Sequence, residues 1–155
     1  MNKILCCLFV AMMLSSCCGF RLDGTKCVGD IIRVNGRLGV VFEVEYGGKH
    51  GKVLSVTETK CDWEEAQQWC RDRGGEWRLP TVEESKEVYR NLDKINRALK
   101  HNRYRLCKPI DMAGFWSCEE SASDPDFVRI VHMSDGTTCI GLNFFDRRTR
   151  AVSTF

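Results

Sequence analysis

Residues 61–84 read CDWEEAQQWCRDRGGEWRLPTVEE, and the stretch changes periodicity midway. In its first half Asp62 stands where a helix N-cap belongs, with Glu65 three residues on as in a capping box. Trp63, Ala66 and Cys70 then fall within about 60° of one another on a helical wheel, with Trp69 flanking, so one face is apolar. Gly74-Gly75 can end the helix, because glycine takes a left-handed cap without strain. In the second half Trp77 and Leu79 alternate with Arg78, the pattern of a half-buried strand. Pro80 stops that strand, and Thr81 with Glu84 opens a second helix through another capping box. A helix, a short strand and a helix in so little chain are the centre from which the rest is read.

Working outward, Val82, Ser85, Val88, Tyr89 and Leu92 share one face of the second helix, and a short helical stretch continues through Ile95, Ala98 and Leu99. On the N-terminal side, Val40, Val41, Phe42, Val44 and Tyr46 lead into Gly47-Gly48, and Lys52–Val56 leads out, which predicts a β-hairpin. On the C-terminal side Phe115-Trp116-Ser117-Cys118 is a strand candidate. Phe127–Met133 and Thr137–Phe144 flank Ser134-Asp135-Gly136, a strong hairpin-turn signal. Thr149–Phe155 reads as one closing strand. Strands, then helices, then strands predict an α+β fold with antiparallel pairing rather than βαβ units.

The chain has 155 residues, enough for one domain with a real core, and 23 Lys+Arg against 21 Asp+Glu give a net charge of +2. Charge this close to balance, with 43 % hydrophobic residues, excludes disorder as the main state and argues against a nucleic-acid partner. The first residues set the compartment. Met1–Lys3 is a short basic start and Ile4–Leu14 an apolar run too short for the roughly 20 residues that span a bilayer, so it reads as a signal peptide. Leu14-Ser15-Ser16-Cys17 resembles a bacterial lipobox, which implies cleavage before Cys17 and acylation of its sulfur, as with diacylglycerol and palmitate. The expected organisation is a signal peptide over 1–16, a lipid-anchored tether over 17–37 and a folded domain over 38–155. Loss of 1–16 removes only Lys3, leaving 22 basic against 21 acidic residues and a net charge of +1. The expected location is the bacterial cell envelope, at the outer membrane or cell surface, with the membrane as a partner through the lipid.

Cys18 is the expected odd thiol beside the anchor. Cys27, Cys61, Cys70, Cys107, Cys118 and Cys139 remain as disulfide candidates, with fifteen connectivities open; an exported compartment favours bridges over free thiols. No C-x₂-C or H-x₃-H spacing supports zinc, and no metal or other cofactor is expected. His50, His101 and His132 sit in no recognisable cysteine-containing motif.

The 61–70 segment resembles the first helix of a C-type-lectin-like domain, and Trp77–Thr81 followed by Glu83-Glu84 is similar to the "WRLPT" element of the bacterial Lcl C-terminal domain family. Gly48-Lys49-His50-Gly51, Phe115-Trp116-Ser117-Cys118-Glu119, Asp135-Gly136 and Arg150-Ala151-Val152 match further family pieces in order, so the resemblance covers about residues 38–155. It implies a C-type-lectin-like fold, two helices packed on antiparallel strands and hairpins, serving as a non-catalytic recognition or adhesion module for a glycan or an envelope protein. Residues 149–155 contain no cysteine, so the long-range bridge of many C-type lectins has no partner here. The calcium-and-sugar signatures EPN, QPD and WND are absent, and Asp124 with Asp126 cannot supply the ligands calcium needs.

Within such a fold, ligands commonly meet the later loops. Lys100–Arg105 and Phe144–Arg150 combine arginines with aromatics there, making Arg103, Tyr104, Arg147 and Arg148 the candidate ligand-binding residues. Two alternatives differ in class. One is an enzyme, since some relatives of the fold are sulfatase-modifying oxidases with paired cysteines, for which Cys118 and Cys139 are the natural pair here. The other is a structural component of an envelope or appendage complex.

Overall fold

The continuous apolar run around Val40–Phe42 forms a strand buried on both faces, in a computed structural model that describes residues 23–104 and 107–155. The signal segment, the Cys17 anchor and Cys18 lie outside the described residues. Strand β1 (Ile31–Val34) turns at Asn35-Gly36 into β2 (Arg37–Glu45), which pairs antiparallel with β3 (His50–Ser55). Asn35 and Gly36 both have positive φ, 48° and 76°, as a two-residue hairpin turn of the right twist requires. Residues 31–34 were expected in the tether. They belong to the sheet, and the chain before them is also tied down: the Lys26 N–H donates to the Gly48 carbonyl at 2.7 Å and the Gly29 N–H to that of Val41 at 2.8 Å. The folded body therefore starts well before residue 38.

After β4 (Thr59–Cys61) come α1 (Trp63–Arg71), α2 (Val82–Arg90) and α3 (Leu92–Lys100). Three helices form where two were expected, because α2 and α3 break at Asn91, whose side-chain amide donates to the carbonyls of Phe42 and Glu87. Helix α1 ends at Arg71, just short of Gly74-Gly75. The remaining strands are β5 (Gly114–Glu120), β6 (Phe127–His132), β7 (Thr138–Leu142), β8 (Arg147–Thr149) and β9 (Val152–Thr154). The single closing strand expected over 149–155 divides in two. Strand β8 joins a sheet of order β4-β8-β5-β6-β7, and β9 joins the other, of order β1-β2-β3-β9. Pairing is antiparallel except for a parallel bridge between Phe115 and Arg148. Arg150 and Ala151, both buried, carry the chain from one sheet to the other.

Val40, Phe42 and Leu54 pack under α2 and α3 against Val88, Ile95 and Leu99. Val41 and Val53 face the other way, toward Ala66, Cys70, Trp77, Trp116 and Ile130. The first sheet is thus covered on both sides, which is why β2 does not alternate.

The capping box at Thr81 extends into a buried ionic clamp. Glu84 accepts from its own Thr81 N–H at 2.9 Å, receives both terminal nitrogens of Arg78 at 2.7 Å, and lies 3.6 Å from Lys52. Burial alone would raise its carboxyl pKa. The Arg78 hydrogen bonds, the Thr81 N–H and the charges of Arg78 and Lys52 outweigh burial and bring the value down to about 2. A depressed carboxylate contributes its stability above the ordinary value of 4.5 and loses it as pH falls through the folded value. With Arg78 half in water, which screens the pair, the expected loss between pH 5 and pH 2 is about 1–2 kcal/mol from this group. Urea midpoints of the wild type and Glu84→Gln across that range test it, and identical acid slopes would rule the clamp out as the source.

Candidate recognition cleft

Helix α1 offers two stripes. Ala66 and Cys70 face the core, while Trp63, Gln67 and Arg71, spaced four apart, line up beside it. The second stripe borders a cleft of about 440 Å³ whose far wall is Asn143 and Phe144 on the turn after β7, with Asp62 and Glu64 at the rim. Long-range contacts hold the walls in place. The Trp63 N–H donates to the Asn143 carbonyl at 2.9 Å and its indole Nε1–H to the Ser117 carbonyl at 2.8 Å. The Asn143 N–H in turn donates to the Asp126 carbonyl at 2.9 Å. Asp62 is committed as the N-cap, accepting from the Glu65 N–H at 2.9 Å. Phe144 and Phe145 are 62 % and 53 % exposed, with their ring centroids 4.9 Å apart, so the cleft-lining Phe144 ring stands in solvent beside a second exposed ring. The cleft offers an aromatic surface, an amide pair and a guanidinium, which suits a polar ring bearing hydroxyls. No cysteine, histidine or serine lines it.

The sequence-predicted ligand residues fare differently. Arg148 is held by Glu58 and Asp111, each at 2.6 Å. Arg147 lies half-buried with its guanidinium 5.5 Å from the Trp116 ring centroid. Arg148 is thus engaged in ion pairs within the domain, with carboxylates far away in sequence, while Arg147 lies against the Trp116 ring. Arg103 stacks on its own neighbour Tyr104 at 5.4 Å, on the loop after α3, and no contact joins that pair to Arg147 or Arg148. The aromatic half of the Phe144–Arg150 segment is the part that faces solvent. Trp63, expected on the core face, packs half-buried against the second core cluster and also lines the cleft. Its partner Asn143 stands outside the segments singled out in the sequence, though it directly precedes the aromatic pair.

The six described cysteines, Cys27, Cys61, Cys70, Cys107, Cys118 and Cys139, are free thiols in this structure. Cys61 and Cys70 share the second core cluster, where burial raises both thiols, Cys70 to about 12. Cys118 on β5 and Cys139 on β7 have β6 between them. Two strand spacings amount to about 10 Å, beyond the roughly 7 Å between Cα atoms that a disulfide can bridge. The cysteine pair suggested for oxidase chemistry is therefore not brought together. Neither a protein-family model nor a curated protein matches this chain, so the cleft is interpreted from its own residues.

Proposed function

We propose that the protein is an exported bacterial lipoprotein, anchored in the cell envelope through acylated Cys17, whose C-type-lectin-like head is a non-catalytic recognition module for a glycan or envelope polymer. The observation that carries this reading is the solvent-exposed ring of Phe144, with the exposed Phe145 beside it, on a cleft walled by Trp63, Gln67 and Arg71. Aromatics held out in water beside fixed hydrogen-bonding groups are a common way to bind sugar rings and similar flat, polar surfaces. The cleft walls come from α1 and a strand-connecting turn, and loops on a rigid scaffold are where binding residues concentrate. A polymer ligand and a membrane tether also fit together, because tethering raises the effective concentration of a weak binding head.

The test is a glycan and envelope-polymer array probed with the full chain, followed by Phe144→Ala and Gln67→Ala on whatever binds. Each substitution is expected to weaken binding about tenfold, the typical effect of removing a contact worth more than about 1 kcal/mol, with the urea midpoint unchanged. Binding that survives both substitutions would place the ligand elsewhere. Mass spectrometry of the mature N-terminus tests the anchor, and an unacylated terminus would remove it.

A further inference from the structure

On the β6–β7 hairpin a thiol faces an imidazole. His132 closes β6, Cys139 lies within β7, and His132 Nε2 stands 3.1 Å from Cys139 Sγ. The register accounts for the contact. Ile130 pairs with Cys139, so Cys139 and His132 lie on the same sheet face and meet diagonally across the strands. Three local features hold the imidazole. The His132 N–H donates to the Thr137 carbonyl at 2.9 Å, and the Gly136 N–H donates to the His132 carbonyl at 2.8 Å. Opposite the ring on β5 is Gly114, where a Cβ would come within 3.2 Å of the imidazole Cε1, so glycine leaves the space the ring occupies.

Asp135 supplies a third group. Its carboxylate accepts from the Thr137 N–H at 2.9 Å and from Thr137 Oγ1 at 2.7 Å, and it lies close enough to His132 to feel its charge. A nucleophile within hydrogen-bond reach of a base, with a carboxylate near the base, is the arrangement that activates cysteine. Cys139 is exposed and His132 half-exposed, so small molecules can reach them. Among the described residues no third metal-binding side chain joins them, which leaves thiol chemistry rather than a metal site.

We propose that Cys139, with His132 as its base, is a site of thiol–disulfide exchange at which the protein captures a small disulfide molecule as a mixed disulfide. His132 Nε2 takes the Sγ proton, and the thiolate attacks one sulfur of R–S–S–R. The Cys139–sulfur bond forms as the R–S–S–R bond breaks. The departing RS⁻ then recovers the proton from His132. Cys139 is oxidised to the mixed disulfide while the released half of the reagent is reduced to a thiol, so the small disulfide is the only oxidant needed. Cys118 is out of reach across β6, so it does not resolve the mixed disulfide. The site is a capping point, independent of the cleft and of whether that cleft binds a glycan.

Cys118 provides an internal control. The residue is also exposed, but burial of the thiol raises its pKa and its charged neighbours are Arg78, Glu119 and Glu84 rather than a histidine. The response of Cys139 to His132→Gln therefore carries the test. The detergent-solubilised full chain is treated with dithiobis(nitrobenzoate), an aromatic disulfide, at neutral pH, and time points are resolved by peptide mass spectrometry. Cys139 is expected to be labelled first, about tenfold or more faster than Cys118, and His132→Gln to slow Cys139 by about the same factor without changing Cys118. Equal rates at Cys118 and Cys139, or a Cys139 rate indifferent to His132→Gln, would overturn the proposal. Should the variant loosen the hairpin, seen as faster Cys118 labelling, equal rates of the two cysteines in the unaltered chain would still overturn the proposal.

Discussion

Arg150→Leu is expected to lower the stability of the domain by about 3–5 kcal/mol, the usual loss when one partner of a buried ion pair is removed. Arg150 is 2 % exposed and reaches in several directions at once. Its Nε and one terminal nitrogen hold Glu58, at 3.3 and 3.0 Å. The other terminal nitrogen donates to the carbonyls of Ser55 and Val56, and the one on Glu58 also reaches that of Lys108 at 2.6 Å. One side chain thus ties the end of β3, the Glu58 turn and the loop before β5 to the point where the chain changes sheets. Burial lowers its pKa while the charge of Glu58 and their hydrogen bond oppose that, so the pair depends on both members. Leucine fills part of the volume, leaves Glu58 with Arg148 alone and takes a donor away from the carbonyls of Ser55, Val56 and Lys108, of which Val56 keeps the Lys108 N–H. Urea unfolding measures the loss, and a midpoint within about 1 kcal/mol of wild type would show that water or Arg148 takes over these contacts.

The second large effect is expected at Trp116. Fully buried on β5, it packs with residues of α1 and of the first sheet, and its indole Nε1–H donates to the Cys61 carbonyl at 3.1 Å. Trp116→Ala removes this packing and leaves a cavity, with an expected loss of about 3–5 kcal/mol. Trp116→Phe keeps most of the bulk but leaves the Cys61 carbonyl without its donor, for about 1–2 kcal/mol. The ordering of the two variants in chemical denaturation is the check. Equal losses would mean that the hydrogen bond, rather than the volume, dominates.

Much of the architecture could be read locally. The capping box at Thr81 and Glu84, the apolar faces of α1 and α2 and the Asp135-Gly136 hairpin all follow from contacts a few residues apart, whereas the strand expected at Trp77–Leu79 reduces to one bridge from Arg78 to the distant Val152. Strand β1 has a comparable signal in Asn35-Gly36 after the apolar Ile31, Ile32 and Val34, within the stretch expected as a tether. The break at Asn91 escaped detection because its amide answers to the Phe42 carbonyl in another element. Arg148 and Arg150 looked like surface charge for a related reason: Glu58, which neutralises them, lies about ninety positions earlier in the chain. Cleft and thiol site were hidden by the same kind of distance. Trp63 meets Asn143 only in the folded chain, and His132 meets Cys139 through an offset across a hairpin rather than through a short motif.

The position of β9 also bears on when the protein can fold. Strand β3 receives its second neighbour from residues 152–154, and Arg78 reaches its antiparallel partner at Val152, contacts that span most of the chain. While those residues are still inside the ribosome, the first sheet lacks its outer strand and the sheet-crossing at Arg150 has no anchor. Closure of the first sheet therefore depends on pairing between distant parts of the chain, the kind that forms slowly.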